Sequence, residues 1–173
     1  GLFSPKNEER ENHILSVVND WINRDWCCGF GIWQRVIKNF PSHVVGDTPG
    51  LSEPAKNIHE LVKFYADSRI FLNTSTISPV PTSLLEAMSS GCAVVSTATC
   101  MIPEIIENGV NGFISNDEKK LREYLVALLN DEDMAREMGI KARQTVLEKF
   151  SEESFIDNWN KFLDTASQVC FRG

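Results

Sequence analysis

Short β-branched runs alternate with amphipathic helical stretches along this chain, and no other feature of the sequence constrains its fold as tightly. The segments "HILSVV" (His13 to Val18), "HVVGD" (His43 to Asp47), "RIFLN" (Arg69 to Asn73) and "CAVVST" (Cys92 to Thr97) each read as a strand that is apolar on both faces. Strands of that kind belong to a parallel sheet covered on both sides. The stretches between them carry the helices. Ile32, Trp33, Val36, Ile37 and Phe40 recur at helical spacing until Pro41. Asn57 with Glu60 forms an N-cap box for a helix whose Ile58, Leu61, Val62 and Tyr65 share a face, and Ser115 with Glu118 forms a second box, for a helix carrying Leu121, Leu125, Leu128 and Leu129 inward. A small strand ends at Ile114 before that helix, and two helical stretches, about 132–150 and 152–165, close the chain. The expectation is an α/β fold: a doubly wound, Rossmann-like parallel sheet of five to six strands, helices on both faces, and a helical C-terminus. At 173 residues, with 42% of them apolar, one domain with a substantial core is expected.

Charge and cysteine content narrow the function. Lys and Arg number 17 against 24 Asp and Glu, a net charge of -7, which excludes nucleic-acid binding driven by bulk charge. A phosphate group would have to be held locally. The five cysteines, Cys27, Cys28, Cys92, Cys100 and Cys170, include no Cys-x-x-Cys pair, and His13, His43 and His59 are far apart. They read as free thiols in a reducing cytoplasm, with no metal site. No apolar run approaches the length of roughly 20 residues needed to span a membrane, so a soluble cytoplasmic protein is expected. The first residue is Gly1 rather than Met, which points to a processed or excised chain with a partner domain outside it.

An open α/β sheet binds ligands beyond the carboxyl ends of its strands. The stretch "SPVPTSLLEAMSSGCAVVST" leaves one of those ends, and its short helix offers the amides of Thr82, Ser83 and Leu84, with two hydroxyls, as an anion seat. Pro79 and Pro81 stiffen the approach. Glu86 has two readings. As part of a Ser83-x-x-Glu86 capping box it only returns a bond to the backbone; as a binding group it needs a ligand with paired hydroxyls beside the phosphate.

"PTSLLEAM", a small residue and Gly91 at the helix end, the apolar strand, and "IPEIIENGVNGF" (Ile102 to Phe113) together make the chain resemble the C-terminal, donor-binding domain of retaining glycosyltransferases with the GT-B fold, of the family 4 type. The likeness runs loosely from about Ile14 to Phe162. It implies that Glu86, as the second glutamate of an E-x7-E motif, accepts the ribose hydroxyls of a nucleoside diphosphate sugar, UDP or GDP linked, while Thr82 to Leu84 meet the diphosphate. The first glutamate of the motif falls on Ser78, a departure beside the reacting sugar. The family's arginine and lysine after the first strand fall on Asn19 and Arg24, of which Arg24 is the cation for the leaving group. A glycine pair falls on Cys100 and Met101. The nucleotide base is expected near Gly46.

The resemblance further implies glycosyl transfer without metal or other cofactor. The acceptor, a glycan, lipid or protein, would be bound by an N-terminal domain absent from this sequence, so that residues 1–173 form a single donor-binding domain, poorly active alone. A rival from another class is a non-catalytic sugar-nucleotide-binding or interaction module, motivated by Ser78 and Asn19. A receiver-like signalling domain fails for want of an acceptor aspartate, since "RIFLN" ends in Asn73. The stripe of Phe155, Trp159, Phe162 and Leu163 is expected to pack in the core; the alternative is a severed interface, which would leave it exposed together with Trp21 and Trp26.

Overall fold

The computed structural model describes residues 2–5 and 9–170, with side chains to 166. Five strands form one parallel sheet in the order β2-β1-β3-β4-β5: β1 Glu11–Val17, β2 Ser42–Val45, β3 Ser68–Asn73, β4 Ala93–Ser96 and β5 Phe113–Ile114. The winding reverses between β1 and β3, so their carboxyl ends flank the crevice where such sheets bind ligands.

Successive strand residues point to opposite faces, and here they feed two cores. On one face Ile14, Ile70, Leu72, Ala93 and Val95 meet Trp33 and Val36 of α2 (Phe30–Ile37) and Leu121, Leu125 and Leu128 of α6 (Glu118–Asn130). On the other, Leu15, Phe71 and Val94 meet Tyr65 of α3 (Ile58–Asp67) and Leu84, Ala87 and Met88 of α4 (Thr82–Ser89). The continuous apolar reading of these strands therefore reflects burial on both sides. The long helix α7 (Glu132–Lys149) serves both cores, with Ala135 and Met138 in the first and Ala142 and Val146 in the second. Between them Gly139 lies against the turn at Gly91. Short helices α1 (Asp25–Cys28) and α5 (Ile102–Ile105) and the terminal α8 (Glu152–Cys170) complete the chain.

Several local expectations are corrected. Asp117, not Ser115, caps α6, because its side chain reaches the Lys119 amide; Ser115 Oγ accepts from the Asp117 amide, and Glu118 turns outward to pair with Arg35 at 2.7 Å. Asn57 does cap α3, but Glu60 takes the Lys56 amide and Ile58 is exposed, so the buried stripe begins a turn later. Trp21 is buried, its ring beside Trp33 and its indole N–H donating to the Cys28 carbonyl, whereas Trp26 is 70% exposed. The α8 stripe is not core. Phe155, Trp159, Phe162 and Leu163 are all exposed, and Phe155, Trp159 and Phe162 stack edge to face along the helix. Cys27, Cys28, Cys92 and Cys100 are free thiols, and burial pushes Cys92 up to about 11; the Cys170 side chain lies outside the described residues. Among the described residues no helix is long and apolar enough to cross a membrane, and no group of three or more His, Cys, Asp or Glu could hold a metal.

Candidate functional site

The loops at the carboxyl edge are bound to one another. After β3, Thr74 Oγ1 donates to the Gly29 carbonyl at 2.9 Å, and the Thr76 amide and hydroxyl donate to the Cys27 and Trp26 carbonyls. This ties the β3 loop to the β1 loop. On its other side Thr97 Oγ1 and Thr99 Oγ1 donate to the Ser75 carbonyl, and the Met101 amide donates to the Pro79 carbonyl. Buried Asn73 bridges the strands beneath, donating to Ser96 Oγ and accepting from Ser75 Oγ. Cys100 has φ 51, in the left-handed region that favours glycine, so the site of the expected glycine pair keeps a glycine-like backbone while Met101 stays exposed.

The β1 and β2 loops are joined by Asn19. Its Oδ1 accepts the Asp47 amide at 2.9 Å, leaving only Nδ2 to donate toward a ligand. Gly46 makes this approach possible. Its φ is +143, and a Cβ there would sit 2.0 Å from the Val18 carbonyl oxygen, so only glycine lets the two loops close. Arg24 stands exposed at the start of α1. No surface ion pair holds it: Asp20 accepts from Asn23 and Asp25 from the Gly31 amide, and among the described residues no ion pair joins Arg24 to either. Ser78 is half-buried in the β3 loop.

Helix α4 excludes the capping reading of Glu86. Pro81, with extended backbone, occupies the N-cap and Ser83 lies inside the first turn, so no capping box forms. The Leu84 amide is already donated to the Pro81 carbonyl at 3.1 Å, which removes it from the anion seat; among the described residues the Thr82 and Ser83 amides have no partner. Glu86, half-buried, lies on the same helix face as these two residues, roughly 6 Å along the axis from Thr82. Its Oε2 accepts from the Tyr65 hydroxyl at 2.9 Å, and among the described residues no other donor reaches it.

A carboxylate has about four acceptor positions, so most of this one is unfilled. Burial pushes Glu86 above the usual carboxylate range, and the Tyr65 hydrogen bond pulls it part of the way back. Burial and the facing Glu86 charge likewise push Tyr65 up, which keeps its hydroxyl a donor.

Sequence reasoning placed Tyr65 on a packing face and missed this bond. The signal was available, because a buried tyrosine hydroxyl needs a partner. Tyr65→Phe is expected to raise the Glu86 pKa further, since the removed bond favours the charged form; a carbon-detected NMR titration of the glutamate carboxyls measures it. Because the folded value lies above the unfolded one, Glu86 supports folding fully in acid and loses that contribution as pH rises through the folded value. In Tyr65→Phe the loss should move to higher pH.

A family model described as glycosyl transferases group 1 matches residues 54–145, just over half of the chain. The chain belongs to that family. The match runs from α3 through β3, α4, β4, α5, β5 and α6 into α7 and so contains Tyr65, Thr82, Ser83 and Glu86.

Among curated relatives, the N-acetyl-alpha-D-glucosaminyl L-malate synthase of Bacillus anthracis is 29% identical over 133 residues, 67% of this chain and 35% of that protein. The chain spans about a third or less of the length of the curated relatives it matches, 35%, 33% and 26% for three of them. Among solved structures, Anabaena HepE in complex with UDP superposes with a TM-score of 0.78 at 16% identity, over 95% of this chain and 54% of that one. The C-terminal domain of the group 1 protein LpcC from Francisella tularensis gives 0.67 at 16% identity, over 87% of this chain and 97% of that one. Both likenesses are of fold.

Proposed function

We propose that this group 1 glycosyl transferase chain is the donor-binding part of an enzyme that moves a sugar from a nucleoside diphosphate sugar to an acceptor with retention. The observation that carries the reading is Glu86: a half-buried carboxylate with one donor, on the helix face of the unbonded Thr82 and Ser83 amides. Those amides and the two hydroxyls take the diphosphate, where the helix dipole favours negative charge. Glu86 accepts the ribose hydroxyls, and the nucleotide base lies toward Gly46 and its turn. In the transfer step the bond from the sugar carbon to the phosphate oxygen breaks, its electron pair leaves with the diphosphate, and the acceptor hydroxyl oxygen bonds that carbon while its proton passes to the departing phosphate oxygen. Arg24, exposed and without an ion pair among the described residues, offsets the charge of the leaving group. No metal or other cofactor is required by this scheme.

The acceptor, a glycan, lipid or protein, binds on an N-terminal domain outside this sequence, and the whole works in the cytoplasm. Residues 1–173 then form one domain. Two things support it: the short share of relatives' length that the chain spans, and the exposed aromatic stripe of α8, which fits a face that a second domain would cover. UDP is the first candidate nucleotide, because HepE, the neighbour described above, was solved with UDP.

Calorimetric titration of this chain with UDP, GDP and ADP tests the reading. One series should bind in the micromolar to millimolar range, and displace or shift the Thr82 and Ser83 amide resonances. Failure of all three at millimolar concentration would sink it. Ser78 favours a second reading, a binding module without transfer, because a hydroxyl stands where the resemblance expects a carboxylate beside the sugar. Binding of nucleotide sugar without any release of free sugar or diphosphate from the longer gene product would support that reading instead.

A further inference from the structure

A cavity of about 450 Å³ opens at the amino-terminal edge of the sheet, opposite the loops described above. It lies where the chain enters β1 at Arg10, β3 at Arg69 and β4 at Gly91, and α7 closes it with Glu132, Arg136 and Arg143. Among the described residues Glu132 is the only carboxylate in its lining. Arg69 pairs with Glu132 at 2.9 Å and Arg136 with Asp133. Among the described residues Arg10 and Arg143 have no carboxylate partner, so four guanidinium groups face two carboxylates. In a chain of net charge -7 this is a local reversal of sign.

Helix capping explains part of the cluster. Arg10 donates to the carbonyls of Tyr65, Ser68 and Ser90 and Arg143 to that of Ser89, at the C-terminal ends of α3 and α4, while Arg143 also donates to the Phe3 carbonyl of the N-terminal segment. Those bonds fix the two guanidinium planes without using all their donors. Arg143 makes both of its bonds through Nη1, which leaves Nε and Nη2 without a protein partner among the described residues. Arg69 donates through Nη1 to Asn12 Oδ1 and through Nη2 to Glu132, and its Nε is buried with no hydrogen-bond partner among the described residues, on a side chain only 11% exposed. A buried donor left unbonded is costly, and a rigid guanidinium fork matches phosphate oxygens better than any other side chain does. The volume is within the range of pockets for small molecules.

We propose that this cavity is a second ligand site, for a phosphate group carried by a small metabolite or by an anionic lipid headgroup, held by Arg69, Arg136 and Arg143. The inference is independent of the donor reading, since the two sites lie at opposite edges of the sheet. Titrating the chain with inorganic phosphate while following arginine Nε–H resonances should give saturable shifts at Arg69 and Arg143. Binding read at the Arg69 resonance should weaken roughly tenfold in Arg143→Lys, which keeps the charge and loses the fork. Arg136→Gln, at a side chain 60% exposed, should weaken it too without a folding penalty.

Sedimentation with vesicles of phosphatidylglycerol, against phosphatidylcholine alone, separates the sources. Vesicle binding that Arg136→Gln removes assigns the headgroup, and phosphate binding without sedimentation assigns the metabolite. Absence of both, or binding that neither substitution alters, overturns the proposal.

Discussion

Glu86→Ala is expected to weaken binding of the favoured nucleoside diphosphate by roughly ten- to a hundredfold, because hydrogen bonds to a charged group contribute about 1.5–3 kcal/mol. The comparison that isolates the contact uses the matching 2′-deoxynucleotide. In the unsubstituted chain the deoxy ligand should bind more weakly, and in Glu86→Ala most of that difference should vanish, since the partner of the missing hydroxyl is gone. Equal losses for both ligands would mean that Glu86 supports the fold of the loop rather than the ribose. Acid should mimic the substitution. Burial holds Glu86 above the usual carboxylate range, so the charged acceptor is lost, and affinity falls, at a higher pH than for an exposed glutamate. Glu86→Gln, which keeps the shape and removes the charge, should show the weakened affinity with that pH dependence abolished.

Gly139→Ala should be the most damaging small change in the helical shell. Helix propensity alone predicts a gain of about 1 kcal/mol, because alanine is the better helix former. Packing opposes it. A Cβ at Gly139 would lie 2.1 Å from the Gly91 carbonyl oxygen and 2.9 Å from its carbon, both backbone atoms that no rotamer change can move. Met138 and Ala142 anchor α7 to the two cores on either side of this point, so the helix cannot back away without opening both. Overpacking typically costs about 1–3 kcal/mol and occasionally more, and a clash between backbones sits at the upper end. The net expectation is a loss of about 2 kcal/mol, or roughly 4–8 °C in Tm for a chain of this size, by thermal or denaturant unfolding. A Tm that stays level or rises would show that the two turns can separate freely.

Most of the sheet was legible because its residues carry their own explanation. Ile14 and Leu15, or Ile70, Phe71 and Leu72, are apolar without a break, and only burial on both faces accounts for that. The helix periods of α3 and α6 were likewise readable, although their N-terminal boxes shifted: at Asp117 an acidic side chain two residues nearer the helix displaced Ser115 as cap. Tertiary pairing was not legible. Nothing local in "HELVKFYADS" says that Tyr65 will find Glu86, and nothing in α8 says that its aromatic stripe stays exposed among the described residues. A helical aromatic stripe looks the same whether its partner lies within the sequence or outside it. Arg10 and Arg143 were silent for the same reason, because their partners are backbone carbonyls far along the chain.

Thr74, Thr76, Thr97 and Thr99 send side-chain or backbone donors from one loop to the carbonyls of the next, so the loops after β1, β3 and β4 share bonds rather than moving as separate flaps. Such wiring makes the rim behave as a single plate. Ligand contact at any one loop should then slow amide exchange across all three together, and substitutions in different loops should combine non-additively, each loosening a structure that the other has already loosened.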